Sequence, residues 1–113
     1  MNKAQLEAVI ESIKNIQSEY VKRFTTPDGF PGYFEGTHKF DQCIEDLNNL
    51  EDWEMEDGRN VGDVVMKNLY TESVDPTGQF AEEEIFMNIR VRKLMVSEKM
   101  YRYVDTKRWN LNK

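Results

Sequence analysis

Residues 75–104 read DPTGQFAEEEIFMNIRVRKLMVSEKMYRYV, and the period assigned to them decides the fold. Asp75 and Pro76 suit the start of a helix. Glu82, Glu83 and Glu84 then stand where the helix dipole favours anions, and Arg90, Arg92 and Lys93 follow where it favours cations. One long helix over residues 77–104 accommodates all of this. The competing pattern has period two: Ile85, Met87, Ile89 and Val91 alternate with Phe86, Asn88, Arg90 and Arg92, and MYRYV at 100–104 has the residues of a return strand. The intervening SEK lacks the Asn or Gly of a tight hairpin. The helix is therefore preferred, and an α+β fold with a C-terminal hairpin over residues 85–104 is its alternative.

Upstream, the helical signal is unambiguous. Over residues 4–24, Leu6, Val9, Ile13, Ile16 and Tyr20 recur at spacings of three and four, Ile10 widens the stripe, and Glu7, Glu11 and Lys14 occupy the other face. TTPDGFPGYFEGT follows, with two prolines and three glycines. It predicts a turn-rich loop whose tightest point is Pro27-Asp28-Gly29. A second helix is expected from Thr37, as its cap, through HKFDQCIEDLNNL, with Phe40, Cys43, Ile44, Leu47 and Leu50 on one side. EDWEMEDGR reads as a loop or frayed end, and NVGDVVMKNLY as a short third helix despite Gly62 and three valines. The expectation is a mainly α fold, a single small domain spanning residues 1–113 with about four helices.

Composition narrows the function classes. The 113 residues are 39% hydrophobic and 32% charged, too apolar for a disordered tail, and no uncharged run of about 18 residues offers a membrane span. Glu7 and Glu11 interrupt the first apolar stretch, so no secretory h-region can be drawn, and one cysteine permits no intrachain disulfide. A cytoplasmic location and no membrane partner are expected.

Charge is sorted along the chain. Residues 1–89 hold 7 Lys/Arg against 19 Asp/Glu, and residues 90–113 hold 8 against 2. The acidic part is densest at Glu45, Asp46, Glu51, Asp52, Glu54, Glu56 and Asp57, beside Trp53. An EF-hand reading fails: with Gly58 at loop position 6, Trp53 and Met55 fall at positions 1 and 3, and Val64 at the bidentate glutamate's place. What remains is a solvated face or a recognition surface for a basic protein, with Glu51, Asp52, Trp53, Glu54, Glu56 and Asp57 as its residues. The aromatic loop adds Phe30, Tyr33 and Phe34, which would serve either as contact anchors or as a lid over the first helix. In the basic end, Arg90, Arg92, Lys93 and Arg102 interleave with Tyr101, Tyr103 and Trp109. That pattern suits nucleic acid, the cations taking phosphates and the rings stacking on bases, but neutralising the acidic body within the molecule or across a homo-oligomer interface is the simpler role.

Catalytic and cofactor patterns are missing from the sequence. His38, Asp41 and Cys43 cannot share one helical face, as a zinc site would require. Gly29, Gly32 and Gly36 make neither a phosphate loop nor a dinucleotide fingerprint, and no carboxylate pair stands out as acid and base. No metal, cofactor or enzymatic activity is expected. The reading is a small acidic accessory or inhibitory protein, of the kind phages and mobile elements also make, acting on a protein partner with a basic surface. Nucleic-acid binding through the basic end is the alternative, and an acidic-site enzyme or small-ligand binder is the third. If the first helix faces the core, Ile13→Ala lowers stability by roughly 2 to 4 kcal/mol, read from a denaturant midpoint.

Overall fold

The structure is a computed structural model that describes residues 1–30, 32–72 and 74–94. The described residues form five helices and no strand: α1 (Lys3–Phe24), α2 (His38–Asn48), α3 (Asp52–Met55), α4 (Arg59–Leu69) and α5 (Ala81–Lys93), with a 3-10 turn at Glu35–Thr37 before α2. This is the small, mainly α domain that the periodicity predicts.

Asn2 starts α1 with a reciprocal cap. Its Oδ1 accepts the Gln5 N–H at 2.9 Å, and its own N–H donates to Gln5 Oε1 at 2.9 Å, which satisfies two amides that a helix start leaves without partners. The stripe of α1 is buried throughout, at Leu6, Val9, Ile10, Ile13, Ile16 and Tyr20, while Glu7, Glu11 and Lys14 are exposed. These side chains join Phe40, Cys43 and Leu47 of α2, Val61, Val65 and Leu69 of α4, and Phe86, Met87 and Val91 of α5 in one core. α4 is central, lying against α2, α3 and α5. Gly62 is buried on that helix, so its cost in helix propensity comes with close packing. Cys43 is a core residue, and burial with the nearby Asp46 charge pushes its thiol up to about 12.

Tyr20 joins the segments at one end of this core. Its ring lies 4.9 Å from that of Phe24, 5.9 Å from Phe34, 5.7 Å from Phe40 and 6.1 Å from Phe86, and its hydroxyl accepts the buried Phe34 N–H at 2.7 Å. A second polar clamp holds α5 to the end of α4. The buried Asn88 side chain accepts the Thr71 N–H at 3.0 Å and donates to the Thr71 carbonyl at 3.1 Å, so one side-chain amide satisfies both polar groups of a backbone residue.

Four expectations need correction. The hairpin alternative fails over residues 85–93, which are helical; residues 95–104, the rest of both the hairpin and the long helix, lie outside the described residues. The period-two alternation has a helical cause: Phe86, Met87 and Val91 face the core while Ile85 and Ile89 face outward, so α5 is apolar on two sides. That helix begins at Ala81 and not at residue 77. Asp75 Oδ1 accepts the Thr77 N–H at 2.9 Å and the Thr77 hydroxyl at 2.8 Å, which shapes a turn closed by Gly78 N–H on the Asp75 carbonyl and holds the Asp75 carboxyl below its ordinary range. Thr37 occupies the cap position of α2 but has φ +75° and makes no capping bond through its side chain. EDWEMEDGR, which reads as a loop or frayed end, contains the separate helical turn α3.

The Tyr20 hydroxyl has a measurable role. Tyr20→Phe keeps the ring and leaves the Phe34 N–H buried without its acceptor. Chemical denaturation is expected to show a loss of about 1 to 3 kcal/mol, and a midpoint equal to that of the unmodified protein refutes the role.

Candidate functional site

The acidic run is built as a rigid corner. The Glu51 N–H donates to Glu54 Oε2 at 2.7 Å, Asn60 Nδ2 donates to the Glu54 carbonyl at 2.8 Å, and the buried Met55 fixes the turn to the core. Gly58, at φ +82°, provides the left-handed residue that lets α4 begin at once. Asp57 accepts the Arg59 N–H at 2.9 Å and pairs with Arg59 Nε at 3.4 Å. Glu54, Asp57 and Glu51, whose carboxylate accepts the Glu54 N–H in a capping box, are therefore engaged in the corner's own structure, whereas Asp52 and Glu56 are exposed on either side of Trp53, which is 73% exposed. Asp46 belongs to the fold and not to this surface: it accepts from Gln42 Nε2 at 2.9 Å and from Asn68 Nδ2 at 3.2 Å, tying α2 to α4.

The aromatic loop divides. Phe34 is core, packed at 5.1 Å against the Phe40 ring and covered by Lys39 Nζ at 5.1 Å, so it offers a partner no surface and leaves the set of contact anchors. Tyr33 stacks on Phe80 with centroids 4.0 Å apart and planes 11° from parallel. Phe30 projects, 68% exposed, from a loop closed by the Thr26 N–H on the Phe30 carbonyl at 2.9 Å and the Phe30 N–H on Thr26 Oγ1 at 3.2 Å. Residues 32–34 are a lid: a Cβ on Gly32 would stand 2.6 Å from the Tyr20 hydroxyl and 2.9 Å from Phe24 Cβ, leaving no room for any other residue. The lid is also held from α5, where Glu83 accepts the Tyr33 N–H.

Of the basic segment, Arg90, Arg92 and Lys93 lie on α5, while Tyr101, Arg102, Tyr103 and Trp109 lie outside the described residues. Arg90 donates to Glu19 at 2.6 Å and holds its guanidinium 5.1 Å from the Phe86 ring centroid. Beside it is a feature that periodicity did not single out. A shallow groove of about 260 Å³ has Ile85, Phe86 and Ile89 as its floor and Arg23, Arg90, Lys93 and Glu82 as its rim. Ile85 is 42% and Ile89 47% exposed. A second groove, of about 500 Å³, is polar and lies between α2 and α4, lined by His38, Asp41, Glu45 and Lys67 among others; no group of three metal-binding side chains forms there or elsewhere among the described residues. No helix of the described residues is long and apolar enough to cross a membrane.

Glu83 gives the lid a pH dependence. Desolvation raises its carboxyl above the ordinary range, the bond from Tyr33 opposes this, and Glu82 and Glu84 add to the rise. A carboxyl raised on folding stabilises most in acid, below its unfolded pKa, and that contribution is lost as pH rises through the folded value. Glu83→Gln keeps an oxygen acceptor and removes the charge. Thermal melts are expected to show the variant more stable at neutral pH, with the difference closing once both proteins are below the carboxyl range.

No family model, curated protein or solved structure matches the chain, so the corner, the lid and the grooves carry the functional reading by themselves.

Proposed function

We propose that this chain is a non-catalytic accessory or inhibitory protein of the cytoplasm that docks on a basic protein surface through the acidic corner at Glu51–Asp57. One observation carries the reading: Trp53 is largely exposed on a turn fixed by its own hydrogen bonds and by buried Met55. Because the turn beneath it is already fixed, a pocket closing over the indole has only the side chain to order, and tryptophan is enriched among residues that dominate interface energies. Glu51, Asp52 and Glu56 surround it with negative charge that would steer a basic partner and raise the rate of encounter. Phe30 offers a second exposed ring on a closed loop. Arg90, engaged by Glu19, supports this reading over one in which α5 binds phosphate.

The test uses the immobilised protein and a variant carrying Trp53→Ala and Glu56→Lys, both at exposed positions where the fold should persist, with circular dichroism melts as the check. A basic protein captured from lysate by the unmodified chain and lost by the variant is the expected result. With that protein purified, reversing Asp52 and Glu56 to Lys should slow association by about tenfold or more at low salt. Capture and kinetics that are the same for both chains refute the reading.

A further inference from the structure

The apolar groove on α5 has the opposite character to the acidic corner. Ile85 and Ile89, four residues apart, form with Phe86 a floor that the core leaves open, and Arg23, Arg90 and Lys93 stand at its edge. Arg90 is held at that edge by Glu19, and Arg23 lies over the Phe24 and Phe86 rings at 5.5 and 5.8 Å. In a protein with 21 acidic and 15 basic residues, this is a local surface where cations outnumber carboxylates around exposed aliphatic carbon. Such a surface complements an apolar knob ringed by carboxylates, and the chain itself presents one at Trp53.

The two surfaces cannot meet within one molecule. Both are referred to α1: at its start, the Met1 nitrogen donates to the Glu56 carbonyl at 2.6 Å, and at its end the Phe24 ring meets that of Phe86 at 5.5 Å. About 30 Å of helix separates them. Complementary patches on opposite ends of a rigid body make a heterologous contact, which joins copies head to tail.

We propose that the α5 groove receives the Trp53 corner of a second copy of this chain. The indole covers Ile85 and Ile89, and Asp52 and Glu56 approach Arg23 and Lys93. This rests on reading the corner as a docking surface and names a second copy as a partner for it. The contact is small, so it forms as a weak, salt-sensitive chain of copies and not as a closed dimer.

Sedimentation equilibrium of the purified protein at low salt tests this, with two variants at exposed positions: Ile89→Asp in the groove and Trp53→Ala on the corner. The unmodified protein should show an average mass that rises across about 10 µM to 1 mM, the range expected of a small interface. Each variant alone should remain a monomer, because each has lost one half of a two-part contact. An equimolar mixture should form a one-to-one dimer and nothing larger, since only one intact groove and one intact corner can pair. A monomeric unmodified protein, a variant that still associates alone, or a mixture that stays monomeric overturns the proposal. A monomeric unmodified protein that still captures a basic protein through Trp53 overturns self-association and leaves the function proposed above standing.

Discussion

The phenol of Tyr20 is the constraint on which the rest of the structure depends. It is fully buried, and its ring touches aromatic side chains from α1, the glycine-rich loop, α2 and α5. A phenylalanine would supply the same apolar area. The hydroxyl adds an acceptor for the Phe34 N–H, which lets the loop backbone enter the core without the desolvation cost of an unpaired buried amide. Once the loop is seated, Gly32 lies against the hydroxyl and against Phe24, so the loop's sequence is constrained by the same atom that holds it. Burial also raises the phenol's pKa, outweighing the opposing Phe34 bond, with the Glu83 charge adding to the rise.

What was legible in the sequence follows from how far apart the determining residues lie. The faces of α1, α2 and α4 are set by side chains three and four positions apart, and most are buried where the pattern places them, with Ile44 and Val64 half-buried and Leu50 just past the end of α2. The start of α5 does not follow from Asp75-Pro76, because Asp75 serves Thr77 in a turn, a choice between two local uses of one carboxylate. α3 escaped notice because four residues carry no period; it exists through the Glu51–Glu54 bond and the burial of Met55. Asn88 looked like the polar half of a strand, and its burial depends on a backbone residue 17 positions earlier. The same distinction applies to the candidate surfaces. Trp53 and Phe30 are exposed, as contact anchors must be, whereas Phe34, in a glycine-rich loop whose composition places it outside, is brought in by the Tyr20 hydroxyl and by packing on the Tyr20 and Phe40 rings. The α5 groove was hidden because Ile85 and Ile89 look like core residues until Phe86, Met87 and Val91 have filled the inward side.

Ion pairs contribute little to the cohesion of this fold. The ion pairs Lys39–Glu35, Arg59–Asp57 and Arg90–Glu19 are all substantially exposed, a setting in which such pairs are worth about 0 to 1 kcal/mol each. The core is held by apolar contact and by a few buried hydrogen bonds at Tyr20 and Asn88. Exposed carboxylates outside the structural hydrogen bonds of the turns and helix caps, such as Asp52 and Glu56, are consequently open to substitution without loss of fold, and the clustering of charge at the Trp53 corner sets the field that an approaching molecule meets.

The thiol of Cys43 has a consequence of another kind. Disulfide exchange, metal capture and peroxide oxidation all proceed through the thiolate. With its pKa pushed up to about 12 by burial and by the Asp46 charge, the thiol stays protonated at neutral pH, and the sulfur is enclosed among Phe40, Leu47 and the rest of the core. As this is the chain's one cysteine, the fold contains no staple to reduce and no exposed sulfur to oxidise at that position. The redox poise of the surroundings therefore has little purchase on this fold through the thiol of Cys43.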